Sequence, residues 1–226
     1  VLDPDTECRG VNLSLSHGMA SIILVACRIL EEGIAQEQCR TIILGGLRYL
    51  EKQRLENEQF LSIFPSWALE SEAEVQSSRL AWCYGDLGIG LAYFAAGRLF
   101  PDQHYSMRGL EILQHSAERR DLEENRVVDA CLCHGASGIA LIFNIIYQQT
   151  KYTLFRDASL YWLDVCLNMA VHEDGAAGYK YKGGPGRGHW IYFNGLLTGT
   201  AGIGLALLSF VQNRKPEWAN LFLLNL

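Results

Sequence analysis

The sequence predicts an all-α fold, in which an inner ring of buried helices is wrapped by an outer ring of half-buried helices. Three observations predict it. A glycine-centred pattern occurs four times along the 226 residues, each time ahead of a segment that is apolar on nearly every side. Amphipathic segments, with charges between their apolar positions, separate these copies. Proline is scarce, at 5 residues, so that long helices can run unbroken.

The repeated pattern is a glycine, two variable residues, a glycine or serine, and an isoleucine. Its copies lie at residues 16–22, 83–89, 133–139 and 197–203. The apolar continuations are residues 22–29, 90–94, 140–146 and 205–211. Helices that are apolar all round are buried on all sides, and glycines allow their crowded ends to approach closely. We therefore predict four inner helices that begin near His17, Cys83, Cys133 and Thr198.

The intervening segments are predicted to form the outer helices, at residues 36–53, 104–119 and 154–171. Each places an apolar residue about every three to four positions. In the second segment, Met107, Leu110, Leu113 and Ala117 are predicted to share one buried face. Two stretches break the rhythm, residues 56–75 and the glycine-rich residues 174–188, and we expect both to be irregular loops.

Composition excludes several classes of protein. The net charge is −6 and no run of lysine or arginine occurs, so a nucleic-acid partner is not expected. No apolar stretch reaches the roughly 18 residues that span a bilayer. The 7 cysteines are an odd number scattered through a core-rich chain. This usage indicates a reducing compartment, and we expect a cytoplasmic protein with thiols or thiolates.

Potential metal ligands stand at equivalent positions of the repeat. Cys83, Cys133 and His134 each lie just before an inner helix, and so does His17. Two thiolates and an imidazole suit Zn²⁺, and three protein ligands leave a fourth position open, as catalytic zinc sites do. The alternative is that the cysteines pack as small buried hydrophobes. The spacing alone leaves both interpretations open.

The remaining cysteines are interpreted as structural thiols. They lack companion ligands in the sequence, although Cys131 lies close to the candidate site. They are Cys8, Cys27, Cys39, Cys131 and Cys166.

Three motifs carry a resemblance to a known family. Trp82-Cys83-Tyr84-Gly85, Cys133-His134-Gly135 and Ser16-His17-Gly18 resemble the signature motifs of the lanthionine synthetase C-like family, of the nisin-cyclase type. The resemblance implies an α/α toroid of about seven helix pairs, of which this chain holds about four. Residues 1–226 would then be the C-terminal part of a cyclase domain. It also implies one zinc ion held by Cys83, Cys133 and His134.

The resemblance further implies a Michael-type addition of a peptide cysteine thiol to dehydroalanine or dehydrobutyrine, which forms lanthionine or methyllanthionine rings. His17 matches the family's active-site histidine, which would donate the proton. Arg79 would steady the enolate oxygen, and Trp82 and Tyr84 would line the substrate groove. The implied partners are a dehydrated precursor peptide, a dehydratase and a peptide exporter, in a modification complex that associates with the membrane.

One family feature is missing. The family has an active-site aspartate upstream of the histidine motif, and Asp3 and Asp5 lie too close to His17 to supply it. We expect N-terminal helices, from the rest of the polypeptide or from another chain, to supply this aspartate and to close the ring. Without them, the apolar sides of the first and last inner helices would face water, and the chain alone would hold zinc weakly and have little cyclase activity.

Two other functions remain open from the sequence. A relative that adds or binds glutathione would need a basic pocket, for which Lys180, Lys182 and Arg187 are the candidates. A zinc-bearing scaffold that binds a peptide without catalysis is the second. An α/α-toroid glycosidase is rejected, because it needs paired carboxylates where the repeats offer cysteine and histidine.

Overall fold

The computed structural model describes residues 9–56, 59–70, 75–100, 103–183, 188–212 and 216–224. The predicted helical fold is confirmed. The helices are α1 (Met19–Glu31), α2 (Gln36–Glu51), α3 (Asp86–Leu99), α4 (Gln103–Glu118), α5 (Ala136–Thr150), α6 (Thr153–Asn168) and α7 (Thr200–Gln212). A 3₁₀ helix, Glu217–Phe222, follows α7. None of the described helices is long and apolar enough to cross a membrane.

The described residues divide into two compact units. Residues up to Arg79 and Cys83–Ser116 form the first unit, in which α1 packs against both α2 and α3. Strands β1 (Gly10–Asn12) and β2 (Trp67–Leu69) pair antiparallel in this unit, with Val11 opposite Ala68. The strand β2 lies within the stretch that was predicted to be irregular.

The second unit contains Leu80–Trp82 and the residues that follow Ser116. In it α5 packs against α6 and α7. Strands β3 (Tyr181–Gly183) and β4 (His189–Ile191) form an antiparallel hairpin, in which Lys182 is opposite Trp190. The prediction of a loop through residues 174–188 was therefore wrong at β3. Residues 184–187 of that stretch lie outside the described residues.

The inner helices do not all have the predicted burial. The helices α3 and α5 are buried over most of their length, as predicted. The helices α1 and α7 are not: Ile22 is 52% exposed and Val211 is 83% exposed. Each of these two helices buries only the sides that face its packing partners. These exposed apolar sides lie on the first and the last helix of the predicted inner set.

The buried face of α4 differs from the predicted one. Met107 is 67% exposed, whereas Leu113 and Ala117 are fully buried. A close approach explains the rotation, because a β-carbon at Gly109 would lie 2.6 Å from the backbone nitrogen of Phe94. The helix thus turns its glycine, and not Met107, towards α3.

Candidate metal centre

A short turn carries two of the predicted ligands in the second unit. Cys133 and His134 directly precede Gly135, the residue before α5. Backbone hydrogen bonds hold the turn, from Cys133 to Leu197 (2.8 Å), from Gly135 to Cys131 (3.0 Å) and from Ala136 to Asp129 (3.1 Å). Both predicted ligands therefore lie at the N-terminal end of α5.

A buried carboxylate organises the same turn. Asp129 is 1% exposed. Its Oδ1 accepts a hydrogen bond from the backbone of Cys131 at 3.0 Å, and its Oδ2 accepts one from the backbone of Lys182, in β3, at 3.1 Å. The same Oδ2 lies 3.8 Å from Nε2 of His134. Asp129 was not among the predicted site residues, although an acid four residues before Cys133 in an apolar stretch was a usable signal.

The turn that carries Cys83 is held by different contacts in the first unit. Cys83 is 6% exposed, three residues before α3. Its carbonyl oxygen accepts hydrogen bonds from the backbone nitrogen of Ser16 at 3.1 Å and from the Ser16 hydroxyl at 3.0 Å. Gly85 has φ +94°, and a β-carbon there would lie 2.3 Å from the carbonyl oxygen of Arg79. Only glycine fits at this position.

A second buried carboxylate follows Cys83. Asp86, the first residue of α3, is fully buried and accepts backbone hydrogen bonds from Ile63 and Phe64, both at 2.9 Å. These bonds attach the segment around Phe64 to the start of α3. Asp86 therefore braces the helix start that follows Cys83.

The three predicted metal ligands form one group. One ligand atom each of Cys83, Cys133 and His134 lies within 4.8 Å of the others. Two sulfurs and an imidazole nitrogen are donors that zinc accepts, with bonds of about 2.3 and 2.0–2.1 Å. The residues present therefore fit a zinc ion. By the same distance criterion Asp129, Cys131 and His134 form a second group.

His17 is exposed and is attached to the Cys83 turn through Ser16. The Ser16 hydroxyl lies 2.6 Å from Nδ1 of His17. The same hydroxyl lies 3.0 Å from the Cys83 carbonyl oxygen, so Ser16 links Nδ1 of His17 to the turn that carries Cys83. This contact engages Nδ1 and not Nε2.

The other predicted site residues have clear packing roles. The Tyr84 ring centroid lies 6.2 Å from that of His17, and its hydroxyl accepts a hydrogen bond from Asn12 at 3.4 Å. Trp82 donates its indole hydrogen to the carbonyl of Phe222 at 3.0 Å, and the two rings meet edge to face. Arg79 is half-buried, and its carbonyl contacts the Gly85 backbone.

The cysteines interpreted as structural behave as buried thiols. Cys27, Cys39, Cys131 and Cys166 are buried, and no disulfide joins the cysteines that the structure describes. Burial, and next to it the charge of Glu31, raises the pKa of Cys27 to about 12. Burial also raises the pKa of Cys166 to about 11. Both stay protonated at neutral pH, and Cys8 lies outside the described residues.

The candidate basic pocket is only partly described. Lys180 is hydrogen bonded to Asp174, and the Lys182 ammonium lies 5.7 Å from the centroid of the Trp190 ring. Arg187 lies outside the described residues. The charge of Lys180 is thus already paired, which weakens the case for a glutathione pocket.

Comparisons with known proteins identify the family. A sequence model of the lanthionine synthetase C-like protein matches residues 2–223. Nisin biosynthesis protein NisC of Lactococcus lactis subsp. lactis is 26% identical over 141 residues, which are 60% of this chain and 33% of that protein. The solved structure of nisin cyclase matches with a TM-score of 0.72 at 20% identity, over 95% of this chain and 50% of that chain. The present chain thus spans half or less of these relatives and shares the α/α toroid fold of nisin cyclase. Because the family match covers nearly the whole sequence, the chain belongs to the lanthionine synthetase C-like family.

Proposed function

We propose that this chain carries the metal centre of a zinc-dependent cyclase that forms lanthionine and methyllanthionine rings in a dehydrated precursor peptide. The observation that carries the proposal is the group of Cys83, Cys133 and His134, whose ligand atoms lie within 4.8 Å of one another. Family membership and the likeness to nisin cyclase support the reaction. Three protein ligands leave one zinc position for a substrate, as in catalytic sites.

The zinc ion would supply Lewis acidity that keeps a substrate cysteine as a thiolate at neutral pH. In the reaction, a new carbon–sulfur bond forms at the β-carbon of the dehydroamino acid as its carbon–carbon π bond breaks. The resulting enolate takes one proton at its α-carbon, and the thiol has given up one proton, so the addition is balanced without an oxidant or a reductant.

His17 is the proposed proton donor. The hydrogen bond between Ser16 and Nδ1 orients the ring and reserves Nε2 for proton transfer. We propose that Arg79, in the same unit, stabilises the enolate oxygen, and that Tyr84, beside the His17 ring, contacts the peptide. We propose that the Trp82 ring, which Phe222 contacts edge to face, also lines the groove that binds the substrate peptide.

The exposed apolar sides of α1 and α7 support a further part of this proposal. Ile22, Val25 and Ile29 of α1 are 37–52% exposed, and Leu208 and Val211 of α7 are 46% and 83% exposed. We propose that N-terminal helices, from the same or another chain, cover these sides and supply the active-site aspartate. Adding such helices to the 226-residue chain should then raise both zinc retention and activity, whereas full activity of the chain alone would contradict this.

The test of the proposed reaction is the loss of free thiols from a dehydrated precursor peptide incubated with the full polypeptide. We expect activity that chelation abolishes and added zinc restores. His17→Asn should keep stoichiometric zinc and lose activity by roughly 10²–10⁴-fold, as is typical for one acid–base group. Cys27→Ala is the matched control, because this buried thiol lies within α1 and should affect neither quantity.

Three outcomes would count against the assignment. Thiol addition that survives chelation would remove the zinc from the reaction. Wild-type activity in His17→Asn would make this histidine structural. Addition to free glutathione, with no reaction of thiols within the peptide, would favour the glutathione-adding alternative.

A further inference from the structure

We propose that Asp129 is a positioning residue of the metal centre, which orients His134 so that Nδ1, and not Nε2, binds the metal. The inference rests on the proposed zinc site. It adds a residue outside the ligand set and assigns the coordinating atom.

The first argument is the direction in which the imidazole faces. The Oδ2 atom of Asp129 lies 3.8 Å from Nε2 of His134, so a small rotation of the ring would make this contact a hydrogen bond. A histidine that binds a metal through one nitrogen commonly donates the hydrogen on its other nitrogen to a carboxylate or a carbonyl. With Nε2 directed at the carboxylate, Nδ1 is the nitrogen that remains for the metal.

The second argument is that Asp129 is itself held in place. It is 1% exposed, and each oxygen accepts a backbone hydrogen bond, Oδ1 from Cys131 and Oδ2 from Lys182. The bond from Lys182 spans 53 residues and attaches the ligand turn to β3, whereas the bond from Cys131 lies within the turn. A carboxylate fixed in this way can in turn fix the imidazole that it faces, since its own rotation would break both bonds.

The third argument is the ring contact between His134 and β3. Tyr181, the residue before Lys182 in β3, places its ring centroid 6.1 Å from that of His134. The strand β3 therefore contacts the histidine with a side chain and binds the orienting carboxylate with its backbone. Both contacts come from the same strand.

Asp129 could instead be a ligand itself, because its group with Cys131 and His134 satisfies the same distance criterion as the predicted set. The hydrogen bonds argue for the orienting role. Both oxygens already accept a backbone N–H, and direct coordination would compete with these bonds. Cys131, whose backbone donates one of them, then serves the turn and not the metal.

The experiment uses the full polypeptide loaded with an NMR-active cadmium isotope and with nitrogen-labelled histidine. Coupling between cadmium and nitrogen identifies the coordinating atom of His134 directly. We expect coupling to Nδ1 in the wild type. Asp129→Asn keeps the shape but loses one acceptor oxygen, so we expect a metal affinity lower by roughly 10–100-fold and a weakened or displaced Nδ1 coupling.

The matched control is Asp86→Asn, which also removes a buried carboxylate that accepts two backbone hydrogen bonds. Both substitutions should lower stability, and Asp86→Asn should leave the Nδ1 coupling unchanged. A purely structural role for Asp129 predicts the same coupling in both variants.

The outcomes separate this inference from the proposed function. A wild type that binds neither zinc nor cadmium overturns the metal centre and the inference together. Cadmium bound through sulfur and Nδ1, with affinity and coupling unchanged in Asp129→Asn, overturns the positioning role alone. Wild-type coupling to Nε2, or a cadmium shift that indicates a carboxylate ligand, also overturns it and leaves the metal centre intact.

Discussion

The two turns that carry the ligands occupy the same place in the sequence repeat and are built differently. The turn at Cys83 presents one candidate ligand. The buried carboxylate near this turn, Asp86, follows the cysteine and accepts hydrogen bonds from the backbone of Ile63 and Phe64. The turn at Cys133 and His134 presents two ligands, and its carboxylate, Asp129, precedes them and faces the histidine. Asp86 also lies 3.9 Å from a histidine nitrogen, Nδ1 of His115, but His115 is not one of the candidate ligands. In our proposal, Asp86 therefore braces a helix and Asp129 orients a ligand.

The backbone shows the same contrast. Gly85 has a φ of +94°, a backbone angle that residues other than glycine rarely adopt. Gly135, in contrast, has an extended backbone with a φ of −109°. At both glycines a β-carbon would collide with a carbonyl, at 2.3 Å from Arg79 and at 2.4 Å from Asp129. The first turn therefore requires glycine for its conformation and its space, and the second requires it for space alone.

The largest effect should come from Gly85→Ala. Alanine is strained at this positive φ, and its β-carbon would collide with the carbonyl oxygen of Arg79. Together these effects should lower the free energy of unfolding by roughly 2–5 kcal/mol. Gly135→Ala should cost less, because it lacks the strain. Chemical denaturation measures both, and Gly45→Ala in α2 is the control, since nothing lies within 4 Å of its new β-carbon. That control should be stabilising by up to about 1 kcal/mol, and an equal loss in all three variants would contradict the comparison.

Alkaline pH is expected to lower the free energy of unfolding by a smaller amount, through the buried thiols of Cys27 in the first unit and Cys166 in the second. Folding raises the pKa of Cys27 from its ordinary value of 9.0 to about 12, and that of Cys166 to about 11. The stabilisation is complete below pH 9 and is lost as the pH rises towards these folded values, because only the unfolded chain releases the proton. Between pH 8 and 10 each thiol should cost about 1.4 kcal/mol of stability.

Denaturation at the two pH values measures this loss in the wild type, in Cys27→Ala and in Cys166→Ala. In each variant the loss of packing lowers the free energy of unfolding equally at both pH values. The difference in this free energy between the two pH values therefore reports the ionisation of the thiol. An unchanged pH dependence in either variant would show that its thiol ionises as readily in the folded chain as in the unfolded one.

The smallest effect is expected from Ser16→Ala, which breaks the connection between the Cys83 carbonyl and Nδ1 of His17. Loss of one such hydrogen bond costs roughly 1 kcal/mol, so kcat should fall by about fivefold while zinc stays bound. Ser21→Ala is the control, because its hydroxyl bonds only within the start of α1, to Gly18. Equal rates in both variants would show that Ser16 does not orient His17.

The sequence predicted the helices, and it predicted which candidate ligands lie together, because both leave a repeated signal. Apolar periodicity located α1 to α7, and the recurring glycine motif singled out Cys83, Cys133 and His134. Features that depend on one tertiary contact left no such signal. The strand β3 has three residues and is bound to Asp129 through a single backbone bond. Met107 is exposed because Gly109 sets the rotation of α4.

The role of Asp129 could not be predicted from periodicity either. One acid in an apolar stretch has no repeat, and its meaning depends on where β3 and His134 lie in space. The sequence thus pointed to three candidate ligands that the structure brings together, whereas the structure was needed to propose the group that orients one of them.

The most direct test of the central claim is the zinc content per chain, measured by native mass spectrometry on the full polypeptide. The account predicts one zinc in the wild type and in Cys166→Ala, whose thiol is buried in α6. It predicts loss of the ion in Cys83→Ala and in Cys133→Ala alike, because each turn supplies a ligand that the other cannot replace. Stoichiometric zinc in both of these variants would contradict the assignment of the metal centre.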